Sequence, residues 1–164
     1  LKEGDIISID IGIILNGYHA DAARTFAVGN VSEEAKKLIR VTEESFFKGI
    51  SKAVPGNRIV DISAAIQSHV EANGFSVVRD YVGHGIGREM HEAPQVPNFV
   101  TRQRGPRLIP GMTLAIEPMV NAGTYQVKLH SNRWTVLTAD GSLSAHYENT
   151  IAITDDEPLI LTIL

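Results

Sequence analysis

An Asn16-Gly17 pair separates two segments of β character near the start of the chain. Residues 5–15 are rich in isoleucine, and residues 18–28 form the second segment. A type I′ turn needs a positive φ at both central positions, which Asn and Gly adopt more readily than other residues. The pair therefore predicts an antiparallel hairpin in which Leu15 faces Tyr18 and all further pairs follow in step.

This hairpin register brings two carboxylates together. Asp21 is expected opposite Gly12, and side chains alternate with period two, so Asp10 and Gly12 share a face. Asp10 and Asp21 are then diagonal neighbours about 7–8 Å apart. Two ionised carboxylates at that distance repel each other unless a cation lies between them or one is protonated. The alternatives are that both carboxylates are solvated, or that a bulge shifts the register and separates them.

Two amphipathic helices are predicted after the hairpin. Ser32 is a suitable N-cap, and apolar side chains recur at helical spacing as far as Ile50, before Pro55-Gly56. A second apolar stripe starts at Ile59, and its helix is expected to end at Asn73-Gly74. Each helix therefore has one face for a core.

The remainder of the chain reads as β structure with one long loop. Strands are predicted at residues 76–82, 113–120, 128–138 and 144–154, and a loop rich in Gly and Pro at residues 94–111. This order of elements predicts an α+β fold, in which an antiparallel sheet carries helices on one face. No domain boundary is visible, so residues 1–164 are interpreted as a single domain.

Three more potential metal ligands interrupt apolar or glycine-rich segments. His84 lies among glycines, and Glu117 and Glu148 lie within predicted strands. With the two aspartates they provide four carboxylates and one imidazole, a donor set that suits Mn²⁺, Fe²⁺, Co²⁺ or Zn²⁺. Five ligands exceed what one tetrahedral ion needs and suit a pair of ions. His146 shares a face with Glu148 on a regular strand, so contact with this site and ordinary packing are both open for it.

Composition narrows the classes of function. A net charge of −4 argues against a general binder of nucleic acid or anionic membranes. The absence of Cys excludes thiol catalysis and thiolate metal sites. No apolar stretch approaches the roughly 18 residues of a membrane span. A small basic cluster, Arg102, Arg104 and Arg107, is interpreted as a solvated loop, with contact to ribosomal RNA as the alternative.

Five motifs follow one another along the chain: Ser8-Ile9-Asp10, residues 19–25, residues 83–87 with Met90-His91-Glu92, Ile116-Glu117-Pro118-Met119, and residues 142–148. In this order they resemble the motifs of the type I methionine aminopeptidases. Any one of these motifs alone is modest evidence for the family, but five motifs in order with compatible spacing are specific evidence. The resemblance covers essentially the whole chain.

The resemblance implies the pita-bread fold of the creatinase and aminopeptidase group, and a centre of two divalent ions (Co²⁺, Mn²⁺, Fe²⁺ or Zn²⁺). It assigns five metal ligands, two of which, Asp21 and Glu148, would bridge the ions. The five ligands are Asp10, Asp21, His84, Glu117 and Glu148.

The resemblance also implies catalytic and substrate-binding residues. Glu117 is expected to shuttle a proton, and His91 to contact the substrate and support the tetrahedral intermediate. Met90 and Trp134 are expected to line the pocket for the methionine side chain. The implied reaction removes the initiator methionine from nascent proteins with a small second residue. A cytoplasmic monomer is expected, with no membrane or sequence-specific nucleic-acid partner and with transient ribosome association left open.

One departure from the family lies at the front of the chain. Family members carry a substantial portion before the strand of the first aspartate, and this sequence starts at Leu1, close to that strand. The fold is therefore expected to be N-terminally incomplete, cut or processed from a longer chain, and to expose a hydrophobic surface. The alternatives are an X-Pro aminopeptidase or prolidase of the same fold, and an inactive metal-binding fragment that needs the missing part.

Overall fold

The computed structural model describes residues 1–163. Within that range it has two helices, α1 (Glu33–Ile50) and α2 (Ile59–Ala72), and twelve strands. The strands, in chain order, are β1 (Ile6–Leu15), β2 (Tyr18–Ala27), β3 (Ser76–Val77), β4 (Gly83–Gly85), β5 (Glu92–Val96), β6 (Thr113–Ile116), β7 (Met119–Asn121), β8 (Val127–Leu129), β9 (Val136–Thr138), β10 (Ser144–His146), β11 (Glu148–Ala152) and β12 (Leu159–Ile160).

The first hairpin has the predicted register. Its two turn residues have positive φ angles of 52° and 81°, as a type I′ turn requires. Asp21 lies opposite Gly12 and Asp10 opposite Ala23, and the pairing is regular over all ten residues of β1. The alternative of a bulge between the two aspartates is thereby excluded.

A seven-stranded antiparallel sheet forms the frame of the molecule. Its order is β1-β2-β11-β6-β4-β5, with β12 beside β11. A three-stranded sheet, β10-β7-β3, and the β8–β9 hairpin lie beside it. The helices pack on each other and on the strands around a buried apolar core that includes Leu38, Phe46, Ile62, Ile116 and Ile151. The predicted fold class, an antiparallel sheet with helices on one face, is confirmed.

The helices begin and end close to the predicted residues. The Ser32 hydroxyl accepts a hydrogen bond from the Ala35 N–H at 3.1 Å, which caps α1. Helix α2 ends at Ala72, and Gly74 follows with a φ of +84°, which a residue with a side chain rarely adopts. In residues 1–163, no helix has both the length and the apolar character of a membrane span.

Two of the predicted strands are divided. The segment 113–120 separates into β6 and β7 at Glu117-Pro118, because proline has no N–H for the ladder. The segment 144–154 separates into β10 and β11 at Tyr147. In both cases the two parts belong to different sheets, so each break carries the chain from one sheet to the other.

Three further boundaries were predicted wrongly. The segment 128–138 is a hairpin, β8–β9, and not one strand, because the Asn132 side chain accepts hydrogen bonds from the N–H groups of Trp134 and Thr135 and closes a turn. Only Ser76–Val77 of the segment 76–82 pairs as a strand. The predicted loop at 94–111 starts too early, since β5 pairs with β4 as far as residue 96.

The outer face of the first hairpin carries exposed apolar side chains. Ile9, Ile11 and Ile13 lie on the face of β1 opposite to that of Asp10, and they are 44–57% exposed. Together with Leu161 and Ile163 they line a groove of about 790 Å³. The first hairpin therefore presents a continuous hydrophobic surface to solvent.

Candidate metal centre

The five predicted ligands lie together at the middle of the seven-stranded sheet. Four of them come from β1, β2, β11 and β4, and the fifth, Glu117, follows β6 directly. The donor atoms form two sets, and within each set all atoms lie within 4.8 Å of one another. Glu148 belongs to both sets. One set is Asp21, His84 and Glu148, and the other is Asp10, His146 and Glu148. The Glu117 carboxylate joins the first set, with Oε1 3.4 Å from His84 Nε2.

Asp21 is held at the junction of β2 and β11. The Thr150 hydroxyl accepts a hydrogen bond from the Asp21 N–H at 2.9 Å and donates one to the Asp21 carbonyl at 3.0 Å. This double contact ties the backbone of one candidate ligand to the strand that carries Glu148. The Asp10 side chain, on the edge strand β1, is more exposed than that of Asp21.

The imidazole of His84 is oriented by its own backbone neighbour. Nδ1 lies 2.9 Å from the Gly85 carbonyl, which can only accept, so Nδ1 carries the proton. Nε2 therefore presents its lone pair toward Glu117, the arrangement that a metal-ligating histidine usually has.

The glycines that flank His84 are required by close contacts between strands. A Cβ on Gly83 would lie 2.4 Å from the Ala115 carbonyl oxygen, and a Cβ on Gly85 would lie 2.3 Å from that of Ala93. Both obstacles are backbone atoms of neighbouring strands, which cannot move aside cheaply. These glycines therefore allow β4 to fit between β5 and β6, with His84 at its centre.

Glu148 is the most deeply buried of the five, with 1% of its surface exposed. The Arg24 guanidinium donates hydrogen bonds to the Glu148 carbonyl and, at 2.7 Å, to the Asn149 side chain. It also lies over the Tyr147 ring at 4.0 Å. Arg24 thereby holds the carbonyl of Glu148 and the side chain of the residue that follows it.

Burial and mutual repulsion dominate the electrostatics of the cluster. Burial, followed by the charges of Asp21 and Asp10, raises the pKa of Glu117 to about 8. Burial, followed by the charges of the other three carboxylates, raises the pKa of Glu148 to about 10. Burial and the neighbouring Asp10 carboxylate also raise the pKa of Asp21. The protein without metal therefore keeps protons on groups that would otherwise repel one another.

The residues present fit a divalent-metal centre. Glu148 Oε1 and His146 Nε2 are buried, and neither has a hydrogen-bond partner in the described part of the chain. Buried polar atoms without partners are costly unless an ion or water satisfies them. Carboxylate oxygens with imidazole nitrogens are the donors that Mn²⁺, Fe²⁺, Co²⁺ and Zn²⁺ accept.

The predicted substrate residues lie in different surroundings. His91 is exposed, and its ring centroid is 4.3 Å from that of His84. The Met90 thioether reaches over Gly12, where a Cβ would lie 2.3 Å from the methionine Cε and 3.7 Å from Asp21 Oδ1. Both residues therefore lie at the edge of the cluster.

Trp134 is not brought into the cluster by any close packing. It lies in the turn between β8 and β9, and 87% of its surface is exposed. The described residues thus build no wall around this side chain. Its assignment to the methionine pocket remains a prediction.

Several residues of the site could not be identified from the sequence. Thr25, Thr150 and Arg24 act through partners more than 120 positions away along the chain. His146 had one signal, its alternation with Glu148, and the structure places its Nε2 3.9 Å from Glu148 Oε2.

Comparison with known proteins matches the chain to one protein family. The model of Metallopeptidase family M24 matches residues 1–155. A methionine aminopeptidase of Clostridium perfringens (strain 13 / Type A) is 68% identical over 164 residues, all of this chain. Methionine aminopeptidase 1 of Bacillus subtilis (strain 168) is 59% identical over 162 residues, 99% of this chain. The chain spans only 66% and 65% of the lengths of these two relatives.

Solved structures agree with this result. The methionine aminopeptidase from Thermotoga maritima matches with a TM-score of 0.96 and 51% identity, over 99% of this chain and 66% of that one. The prolidase from Pyrococcus horikoshii OT3 matches with a TM-score of 0.79 and 25% identity, over 99% of this chain and 41% of that one. The resemblance to methionine aminopeptidases and the pita-bread fold are confirmed, and the likeness to prolidase is more distant.

Proposed function

The chain belongs to metallopeptidase family M24, and on this premise we propose that it is the larger part of a methionine aminopeptidase. The reaction is hydrolysis of the bond after an N-terminal methionine that precedes a small residue. The observation that carries the proposal is the meeting of four carboxylates and an imidazole on adjacent strands. The high identity to methionine aminopeptidases, against 25% identity to a prolidase, supports the methionine enzyme over the prolidase type.

We assign the metal ligands to Asp10, Asp21, His84, Glu117 and Glu148, with two ions of the Mn²⁺, Fe²⁺, Co²⁺ or Zn²⁺ type. Glu148 is a bridging ligand in this proposal, because its carboxylate belongs to both donor sets. Asp21 would be the second bridge, as the resemblance implies, and both Asp10 and His84 are close enough to act on the pKa of its carboxyl group. When bound, the ions supply a water of lowered pKa and polarise the scissile carbonyl.

The task of Glu117 is to move a proton. Its carboxylate accepts the proton of the attacking water and delivers it to the leaving amine. Its position directly after β6, with Oε1 3.4 Å from His84 Nε2, supports this role.

His91 and Met90 act on the substrate. His91 donates a hydrogen bond to the carbonyl oxygen as negative charge develops there in the transition state. Its exposure at the edge of the cluster, next to the His84 ring, supports that role. Met90 offers a flexible thioether wall for the methionine side chain, and Trp134 is proposed as a second wall.

The wider setting follows from the same proposal. Residues 1–164 are one catalytic domain whose family fold has a further N-terminal part, and the exposed face of β1 supports this view. The substrate is the N-terminal methionine of nascent chains in the cytoplasm, and the enzyme acts as a monomer. Ribosome contact through Arg102, Arg104 and Arg107 is left to experiment.

The test compares two tripeptides with the purified chain and added Co²⁺ or Mn²⁺. We expect release of methionine from Met-Ala-Ser and no cleavage of Ala-Pro-Ser, with activity abolished by EDTA and restored by metal. Preferential cleavage of Ala-Pro-Ser would identify a prolidase-type enzyme instead. Metal binding without cleavage of either peptide would identify an inactive fragment.

A further inference from the structure

His146 points a buried nitrogen at the acidic cluster without making a hydrogen bond. Its Nε2 lies 3.9 Å from Glu148 Oε2 and 4.0 Å from Glu117 Oε2. Both distances exceed the roughly 2.7–3.2 Å of a hydrogen bond to nitrogen. Within residues 1–163 this nitrogen has no hydrogen-bond partner and no contact with solvent.

The backbone of His146 is fixed by a neighbouring strand. The Thr25 hydroxyl donates to the His146 carbonyl at 2.8 Å and lies 2.8 Å from the His146 N–H. The hydroxyl of Ser8, on β1, lies 2.8 Å from the Thr25 hydroxyl. The backbone that carries the His146 imidazole is therefore held by hydrogen bonds to the hairpin that carries Asp10 and Asp21.

The donor atoms divide into two sets of equal composition. Asp21, His84 and Glu148 form one, and Asp10, His146 and Glu148 form the other. Each set has an imidazole of its own, and Glu148 is the member they share. Ligands about 2.0–2.2 Å from one ion stand at most about 4.4 Å apart, so the 3.9 Å between His146 Nε2 and Glu148 Oε2 suits a common cation.

We propose that His146 is a sixth metal ligand, which binds the second ion together with Asp10 and Glu148. The proposal rests on the metal centre described above and adds an imidazole to the ion that the five-residue assignment leaves with carboxylates alone. Imidazole favours Fe²⁺, Co²⁺ and Zn²⁺, so this ligand would shift the second site toward these ions.

The first experiment titrates Co²⁺ into the 164-residue chain and into His146→Gln, with calorimetry and visible absorption as readouts. We expect two binding steps in the unmodified chain. In His146→Gln one step weakens roughly tenfold or more while the other is retained, and the absorption of the second ion changes. The control is His130→Gln, because His130 is an exposed histidine on the β8–β9 turn.

The second experiment uses the unmodified chain, so its result does not depend on whether a variant folds. Zn²⁺ is titrated into chain labelled with ¹⁵N-histidine, and two imidazoles are expected to move to the chemical shifts of zinc-bound nitrogen. Identical Co²⁺ affinities and spectra in His146→Gln, or only one zinc-bound imidazole, would overturn the role of His146 and leave the proposed function intact. An unmodified chain that binds neither ion would overturn the metal centre itself, and this inference with it.

Discussion

At the scale of single residues, the cluster combines two kinds of histidine. His84 is buried, and its Nδ1–H is bound to a carbonyl, so its free nitrogen can only serve the cluster. His91 lies beside it with an exposed ring and thus remains available to a substrate. A ligand is held rigidly by its surroundings, whereas a group that meets the substrate has to face solvent.

This difference predicts the effect of His91→Ala. We expect kcat to fall roughly 10²–10³-fold, as for other lost oxyanion donors, while the bound metal content stays the same. The measurement is hydrolysis of Met-Ala-Ser alongside metal analysis of the same samples. His69→Ala is the control, since His69 pairs with Glu44 on the helical surface. A collapse of metal content in His91→Ala would show that His91 holds the ions and not the carbonyl oxygen.

At the scale of elements, the site depends on how closely three strands approach. Strand β4 lies between β6 and β5 and is only three residues long, with His84 flanked by glycines. The obstacles to a Cβ at these glycines are main-chain atoms of the adjacent strands. The position of the imidazole is therefore set by backbone packing and not by its own side-chain contacts alone.

The substitution Gly85→Ala tests this view. A Cβ 2.3 Å from the Ala93 oxygen forces β4 and β5 apart, and we expect a loss of about 1–3 kcal/mol in the free energy of unfolding. Metal affinity should fall as well, because His84 moves with its strand. Gly56→Ala is the matched control: it has a φ of +91° but meets no atom within 4 Å, so it strains the backbone without touching the site. Equal metal affinity in Gly85→Ala and the unmodified chain would contradict this account.

At the scale of the whole molecule, the acidic cluster links stability to pH. Glu117 has a pKa of about 8 in the folded protein without metal, against an ordinary value of 4.5. Between these values the folded chain holds a proton that the unfolded chain has released, so the free energy of unfolding falls as pH rises. Glu148 acts in the same direction up to about pH 10. His146 opposes them only between about pH 4 and 6.5, because burial lowers its pKa to about 4.

We therefore expect the stability of the metal-free chain to decrease from pH 6.5 to 8, which is above the range in which His146 opposes the carboxyl groups of the cluster. Urea unfolding in EDTA at several pH values measures this slope, and the double variant Glu117→Gln/Glu148→Gln should flatten it. With Mn²⁺ present the trend should reverse, because a metal binds the deprotonated carboxylates. A stability that rises with pH in EDTA would contradict the raised pKa values.

The sequence by itself determined the local features of this protein. The Asn16-Gly17 turn set the register of the first hairpin, and with it the shared face of Asp10 and Asp21, because turn geometry and period-two alternation depend only on near neighbours. The helix caps were predictable for the same reason. Strand breaks at Pro118 and Tyr147 were not recognised, since they depend on which sheet each half joins.

The tertiary structure alone decided how the site is assembled. The sequence marked five candidate ligands, but only the order of strands in the sheet brings side chains from β1, β2, β4 and β11, and Glu117 after β6, into one cluster. The hydrogen bonds between Thr150 and Asp21 join residues 129 positions apart in the sequence, and those between Thr25 and His146 join residues 121 positions apart. No local pattern encodes such distances, because they arise when strands far apart in the chain pair in one sheet.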